Sequence, residues 1–383
     1  MHQFYRSSFV APDSDNDDDV KVAQDFKLFY DSDEDAWNNT STTEKIEEID
    51  IKLEEIPKVE TDENLDSKRK KLTVRGLSGL KNIGNTCYMN SILQCLGSLV
   101  VFNSWLRKEK FKKRLENNKM FELAEMKRKK DNLDEDINLI LPKEEIHDAM
   151  ENTIVYRLSE LYDYMWKQNC TITPKSFKKI IGEKNTAFKG FDQNDSQELL
   201  NLILDKIHDE IKAEVTIQFC NFPQSVIDII KVREECARVI NDKSTSIEQK
   251  EAASKYYKEF RLKHPDDVTI LMASTFWKKH IKKNHSIITD LFTGLYYSKI
   301  ECMECSNCTS NFEPFIMMSI PTKEEGETTL EECLLDFTKE ETLDGDNKYN
   351  CDVCMKKVSA KKRMYIWEPP EILIIHPHYN YKF

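Results

Sequence analysis

The side chains best suited to chemistry in this sequence are cysteines, and the first of interest is Cys87. It follows a stretch from Gly76 to Gly84 that carries three of the chain's nine glycines, placed where backbone freedom or close approach is needed. Directly afterwards Tyr88, Ile92, Cys95, Leu96 and Leu99 recur at helical spacing, predicting a core-facing helix with Cys87 in its first turn. Asn85 and Thr86 supply polar side chains suited to that helix's N-terminus. A thiol there feels the positive end of the helix dipole, which favours the thiolate, the nucleophilic form. Asn82, five residues upstream, offers an amide donor to an oxyanion forming beside the sulfur. The plainer reading, a small buried core cysteine, accounts for neither the glycine turn nor the amide.

A second group is Cys302-Met303-Glu304-Cys305, followed after 45 residues by Cys351-Asp352-Val353-Cys354. Two Cys-x-x-Cys knuckles can set four thiolates tetrahedrally around Zn²⁺, a closed and therefore structural site with no open position for catalysis. Cys308 repeats the interval after Cys305 and competes as a ligand; a thiol-redox pair is the other chemistry such spacing allows.

These residues need elements to hold them. Lysine- and glutamate-rich sequence from about Phe102 to Ala149 predicts exposed helix, and Ile154 to Trp166 a second amphipathic one. A third begins near Asp195, which pairs with Glu198 as in a capping box, and buries Leu199, Leu200, Ile203, Leu204, Ile207 and Ile211. Residues 215–290 read as helical insertion. From Phe292 onward, strand-like runs appear at Leu295–Ile300, Phe315–Ile320 and Ile372–Ile375. Helices followed by strands give an α+β order.

The chain has 383 residues and a net charge of −12, and residues 1–70 alone hold 20 acidic against 9 basic side chains, including a cluster from Asp13 to Asp19. That segment reads as a disordered acidic tail, solvated or serving as an arm for a basic partner. The overall −12 argues against the broad basic surface that nucleic-acid or anionic-membrane binding requires, and the remainder alone carries −1. No run reaches the ~18 to 20 apolar residues of a membrane span, and the first twenty residues lack an apolar signal core. Eleven cysteines spread over this length do not resemble a secreted disulfide framework. The expectation is an intracellular protein of cytoplasm or nucleus.

Gly79-Leu80-Lys81-Asn82-Ile83-Gly84-Asn85-Thr86-Cys87-Tyr88-Met89-Asn90-Ser91, with Leu93 and Gln94, resembles the cysteine box of the ubiquitin-specific proteases, papain-like deubiquitinating enzymes. Gln193-Asn194-Asp195-Ser196-Gln197-Glu198-Leu199-Leu200 resembles that family's glutamine-rich box, whose Asp contacts the extended, basic C-terminal tail of ubiquitin. For Asp195 a helix cap and a substrate contact are both open, and one residue can do both. Phe292-Thr293-Gly294 and Pro370 to His376, with Tyr381-Lys382-Phe383, resemble the family's central strands.

The resemblance covers most of residues 76–383. It implies an α+β papain-like protease with a helical thumb at 71–214, an insertion at 215–290, and fingers and first palm strands at 291–383. It further implies Cys87 as nucleophile, Asn82 in the oxyanion site, Gln193 and Asp195 as substrate-binding residues, and Cys302, Cys305, Cys351 and Cys354 as ligands of a structural Zn²⁺. Ubiquitin and its conjugates are the implied partners.

A protease of this type also needs a histidine base and an Asp or Asn to orient it. None of His2, His147, His208, His264, His280, His285, His376 and His378 has that family's catalytic context, and no Gly-His-Tyr element occurs. His376 reads as an ordinary strand residue. The expectations are therefore a deubiquitinase whose His and Asp lie in sequence beyond Phe383, or a ubiquitin-binding homologue without catalysis. A zinc-scaffolded interaction module is the third reading, which the cysteine box disfavours.

Overall fold

The computed structural model describes residues 8–10, 76–132, 134, 139–167, 169–218, 222–322 and 328–378. Apart from Ser8–Val10, the expected acidic tail lies outside them, as do Tyr381, Lys382 and Phe383. In chain order the strands are β1 (Ser8–Val10), β2 (Gly79–Leu80), β3 (Thr171–Ile172), β4 (Thr216–Gln218), β5 (Gly294–Cys302), β6 (Cys308–Phe315), β7 (Met317–Pro321), β8 (Glu341–Leu343), β9 (Tyr349–Cys351), β10 (Lys356–Val358), β11 (Ala360–Glu368) and β12 (Ile374–His378). The α-helices are α1 (Cys87–Ser98), α2 (Val100–Arg107), α3 (Lys112–Asp131), α4 (Lys143–Glu151), α5 (Ile154–Lys167), α6 (Lys175–Lys184), α7 (Ser196–Ile211), α8 (Gln224–Asn241), α9 (Ile247–Lys263), α10 (Pro265–Lys282), α11 (Ile287–Phe292) and α12 (Leu330–Phe337). This is the α+β composition expected. The described residues form two compact units, one of residues 76–213 with 286–291, the other of 8–10, 214–285 and 292–378.

The first unit is helical. Its centre is α5, which buries Ile154, Val155, Leu158, Leu161, Tyr162 and Met165. Tyr162 donates from its hydroxyl to the Leu93 carbonyl at 3.0 Å, and Gly97 lies so close to that ring that a Cβ would come within 3.2 Å of it. Both contacts press α1 onto α5. The buried face of α1 is therefore Tyr88, Met89, Leu93, Leu96 and Gly97. It is rotated from the stripe expected: Ile92 and Leu99 are half-buried and Cys95 is exposed. The tightest packing takes glycine and side chains without a β-branch, which a count of apolar residues does not register.

The run from Phe102 to Ala149 divides. Phe102, Trp105 and Leu106 of α2 are core, whereas α3 buries only Leu115, as its lysine-glutamate composition predicts. Glu210 of α7 caps α5 from below: its two carboxylate oxygens accept the N–H groups of Ile154 and Val155 at 2.8 and 2.9 Å. Helix N-termini leave such donors without intrahelical partners, so a buried carboxylate can satisfy two at once. Burial pushes its pKa upward, against the pull of those two N–H groups.

In the second unit, the helices α8, α9 and α10 fill the region read as helical insertion. Helix α10 packs Ala273 against Leu295 and Phe312 of an antiparallel sheet in the order β6-β5-β11-β8, with Phe276, Trp277 and Trp367 around them. A parallel pair, β7 with β12, stands beside a cluster of Phe315, Met318, Ile320 and Cys333. The expected strand Phe315–Ile320 is broken at Ile316 into β6 and β7, and the one expected at Ile372 starts at Ile374. His376 lies in β12 opposite Ser319, the strand position expected of it.

Candidate active site and metal centre

Cys87 is the first residue of α1 and is exposed. The loop before it is organised by one side chain, Asn82. Its Oδ1 accepts the Gly84 N–H at 3.1 Å, the Thr86 N–H at 3.1 Å and the Thr86 hydroxyl at 3.0 Å. Thr86 in turn accepts the Ile83 N–H on its Oγ1 at 3.1 Å, and so makes no side-chain cap to α1. The expected polar cap is thus turned backwards, tightening the loop and leaving the first N–H groups of the helix without a side-chain partner beside the thiol. Gly84 at φ +111° and Asn85 at φ +46° make the turn, a conformation natural to Gly and tolerated by Asn. With Oδ1 engaged three times, the Nδ2 of exposed Asn82 is the free end of that amide.

The remaining box residues hold this loop to its surroundings. Asn90 donates to the carbonyls of Leu80 and Lys81, both at 3.3 Å, and Gln94 donates to that of Ser78 at 2.9 Å. They lash the strand entering the loop to the helix leaving it.

The second box meets the first. Asn85 donates to the Phe191 carbonyl at 2.9 Å, and the Phe191 ring backs Gly84, where a Cβ would lie 3.0 Å from it. Asn194 donates to the Tyr88 hydroxyl at 3.4 Å and to the Asp192 carbonyl at 3.1 Å. Asp195 is the N-cap of α7, accepting the Gln197 N–H at 2.7 Å. That bond replaces the reciprocal pair with Glu198 that the sequence suggested, and Leu200 is half-buried where full burial was expected. Asp195 uses one oxygen as a cap and remains exposed, and Gln193 is exposed two residues before it. Two segments 106 residues apart are so brought to one surface, with a thiol and an amide on one and a carboxylate on the other.

Among the described residues nothing hydrogen-bonds to the Cys87 sulfur. His147 pairs with Glu151, His208 Nδ1 lies 2.8 Å from Ser286 Oγ, His264 pairs with Asp267, and His280 stacks on Phe276. His285 is buried and His376 lies in a strand. None of these is a base for Cys87.

The four knuckle cysteines do converge. Antiparallel pairing of β5 and β11 sets Cys302 opposite Ala360, and the β9–β10 hairpin carries Cys351 to Cys354 in its turn. The sulfurs of Cys302, Cys305, Cys351 and Cys354 all lie within 4.8 Å of one another, with Cys302–Cys354 at 3.8 Å and Cys305–Cys351 at 3.7 Å. The cluster can hold a metal ion. Backbone N–H groups of Glu304 and Cys305 point at Cys302 Sγ, and that of Cys354 at Cys351 Sγ. The Cys305 N–H, with that of Glu304, pulls the Cys302 thiol down to about 7, while the hydrogen bond with Cys305 leads the effects that push Cys354 up to about 12. Cys308, the competing ligand, is exposed and directed at the Ser306 carbonyl, outside the cluster.

The sequence profile described as ubiquitin carboxyl-terminal hydrolase matches residues 78–382. The chain belongs to this family. A probable ubiquitin carboxyl-terminal hydrolase of Acanthamoeba polyphaga mimivirus is 30% identical over 327 residues, covering 78% of this chain and 69% of the viral protein. Human ubiquitin carboxyl-terminal hydrolase 2 is 27% identical over 308 residues, covering 79% of this chain and 40% of the human one. The chain thus spans less than half of that human relative. Among solved structures, the SAGA Ubp8/Sgf11/Sus1/Sgf73 DUB module bound to ubiquitin aldehyde aligns with a TM-score of 0.44 at 18% identity, over 94% of this chain and 53% of that one, a distant likeness. Among the described residues no helix is long and apolar enough to cross a membrane.

Sequence reasoning missed Lys178. Its ammonium is buried beneath the site, and a lysine within Lys175-Ser176-Phe177-Lys178-Lys179 gives no sign of it.

Proposed function

We propose that this chain acts on ubiquitin conjugates as a thiol hydrolase, with Cys87 attacking the carbonyl carbon that follows ubiquitin's last glycine nitrogen and Cα. The new C–S bond places charge on the carbonyl oxygen, which accepts hydrogen bonds from Asn82 Nδ2 and the Cys87 N–H. Collapse expels the amine, which takes up a proton, and leaves a thioester that water hydrolyses to free carboxylate and thiol. Asp195, with its second oxygen unused by the cap, and Gln193 hold the extended basic tail on the way in. The observation that supports this reading best is the meeting of the two boxes around Tyr88 and Asn85.

The proton acceptor is not assigned to any described histidine. That observation favours a second reading, recognition of ubiquitin without turnover. Release of a fluorophore from the C-terminus of ubiquitin by the full chain, abolished in Cys87→Ala, supports hydrolysis. Ubiquitin binding with no release, equal in chain and variant, supports the second reading.

The thiolate cluster fits Zn²⁺. Four sulfurs held about 2.3 Å from a tetrahedral ion stand about 3.8 Å from one another, and the two pairs above lie at 3.7 and 3.8 Å. Cys302, Cys305, Cys351 and Cys354 would hold the ion, which would supply a cross-link between β5 and the β9–β10 hairpin. All four positions being protein thiolates, its part is structural.

A further inference from the structure

Lys178 is 8% exposed, and its Nζ donates to the Tyr88 hydroxyl at 3.1 Å and to the Phe188 carbonyl at 2.6 Å. It also lies over the Tyr88 ring at 5.8 Å, and that ring packs on Phe188 at 6.0 Å. A buried ammonium is costly unless its donors are used, and here a phenol and a carbonyl use them. No carboxylate pairs with it among the described residues.

The position of the phenol matters. Tyr88 follows Cys87 in the first turn of α1, and its oxygen also accepts from Asn194, the residue before Asp195. The hydroxyl therefore stands between a donor from α6 and a donor from the recognition segment. Hydrogen bonds to a charged donor are the stronger kind, so the α6 ammonium is the fixed point of this arrangement.

We propose that Lys178 is a positioning residue for the hydrolysis assigned to Cys87, on which reading this role rests. Through the Tyr88 hydroxyl it keeps the Cys87 turn in register with Asn194 and Asp195, so that a ubiquitin tail held at Asp195 presents its carbonyl to the sulfur. Lys178 touches neither the thiol nor the substrate. Misplacement by about 1 Å at such distances costs on the order of 100-fold in rate, so a loosened register is visible in kinetics.

The test uses the full chain with Lys178→Met, Lys178→Arg and Tyr88→Phe, the last removing one hydroxyl and leaving the packing. Amide hydrogen exchange is expected to quicken in both residues 84–90 and residues 191–196 in Lys178→Met and Tyr88→Phe alike, and to stay near wild type in Lys178→Arg. This readout needs no activity, so it stands if the hydrolase reading fails. With a ubiquitin carrying a C-terminal electrophile, the maximal labelling rate should fall about 10-fold or more in Lys178→Met and Tyr88→Phe. The double variant should be no slower than either single one, because both remove the same link. Alkylation of Cys87 by iodoacetamide, followed by peptide mass spectrometry, should change less than about twofold, since the sulfur itself is untouched. Exchange unchanged in 191–196, effects of the two variants that add, or alkylation falling in parallel with labelling would each overturn the proposal.

Discussion

The Zn²⁺ cross-link proposed for the four cysteines should carry much of the stability of the second unit. Coordination by Cys305 and Cys351 would close a loop of 45 residues that contains β6, β7, α12 and β8. Treated as a chain cross-link, closing a loop of that length removes about 4 kcal/mol of unfolded-state entropy at 25 °C. The native state needs little adjustment to accept the ion, because the sulfurs are already within 4.8 Å of one another. The full loss should therefore appear as lowered stability, a fall of roughly 8–16 °C in the melting temperature of a unit of this size. Stripping the purified chain with a strong chelator and following thermal unfolding by circular dichroism measures it. Cys351→Ser should melt at the chelated temperature with or without chelator. Cys308→Ser should behave as wild type, since Cys308 stands outside the cluster. Less than half an equivalent of zinc in the purified chain, or a melting temperature indifferent to chelator, would refute the reasoning.

Other expectations rest on separate contacts. Asn82→Asp keeps the oxygen that organises the loop and discards the amide donor, so probe or substrate turnover should fall about 10²- to 10³-fold with little change in melting temperature, whereas Asn82→Ala should lower both. Glu210→Gln leaves one of the two α5 N–H groups facing an amide donor and should cost about 1–3 kcal/mol in denaturant unfolding near neutral pH. Burial raises the folded-state pKa of Glu210, so the neutral form is less disfavoured in the folded chain than in the unfolded one. Its contribution is complete below the ordinary carboxylate range and is lost as pH rises through the raised value, a slope that should be absent in the Gln variant. Gly294→Ala would place a Cβ 2.5 Å from the Phe315 ring and 2.8 Å from the Glu368 carbonyl, so it should destabilise the second unit by at least about 1–3 kcal/mol in the same unfolding assay.

Much of the site was legible because its parts are local. The helix begins at Cys87 as its spacing predicts, the sulfurs of the two knuckles come within 4.8 Å of one another, and Asp195 stands at the head of its helix. What escaped depends on contacts across the chain. The face of α1 is set by Tyr162, 65 residues beyond Gly97, and Thr86 bonds to Asn82 although its type and position suit a cap. Cys308 shares the knuckle interval, but strand pairing opposite Glu301 draws it into β6. Lys178 is polar by type and buried by circumstance, and only the arrival of the Tyr88 hydroxyl and the Phe188 carbonyl makes its burial tolerable.

The most direct measurement is mass spectrometry of the full chain, supplied with Zn²⁺, after reaction with ubiquitin bearing a C-terminal electrophile. The predicted result is a single ubiquitin adduct located on Cys87, absent from Cys87→Ala and sharply reduced in Asn82→Asp. No adduct on the folded chain, or an adduct on another exposed thiol such as Cys95 or Cys308, would contradict the assignment of Cys87 as the nucleophile.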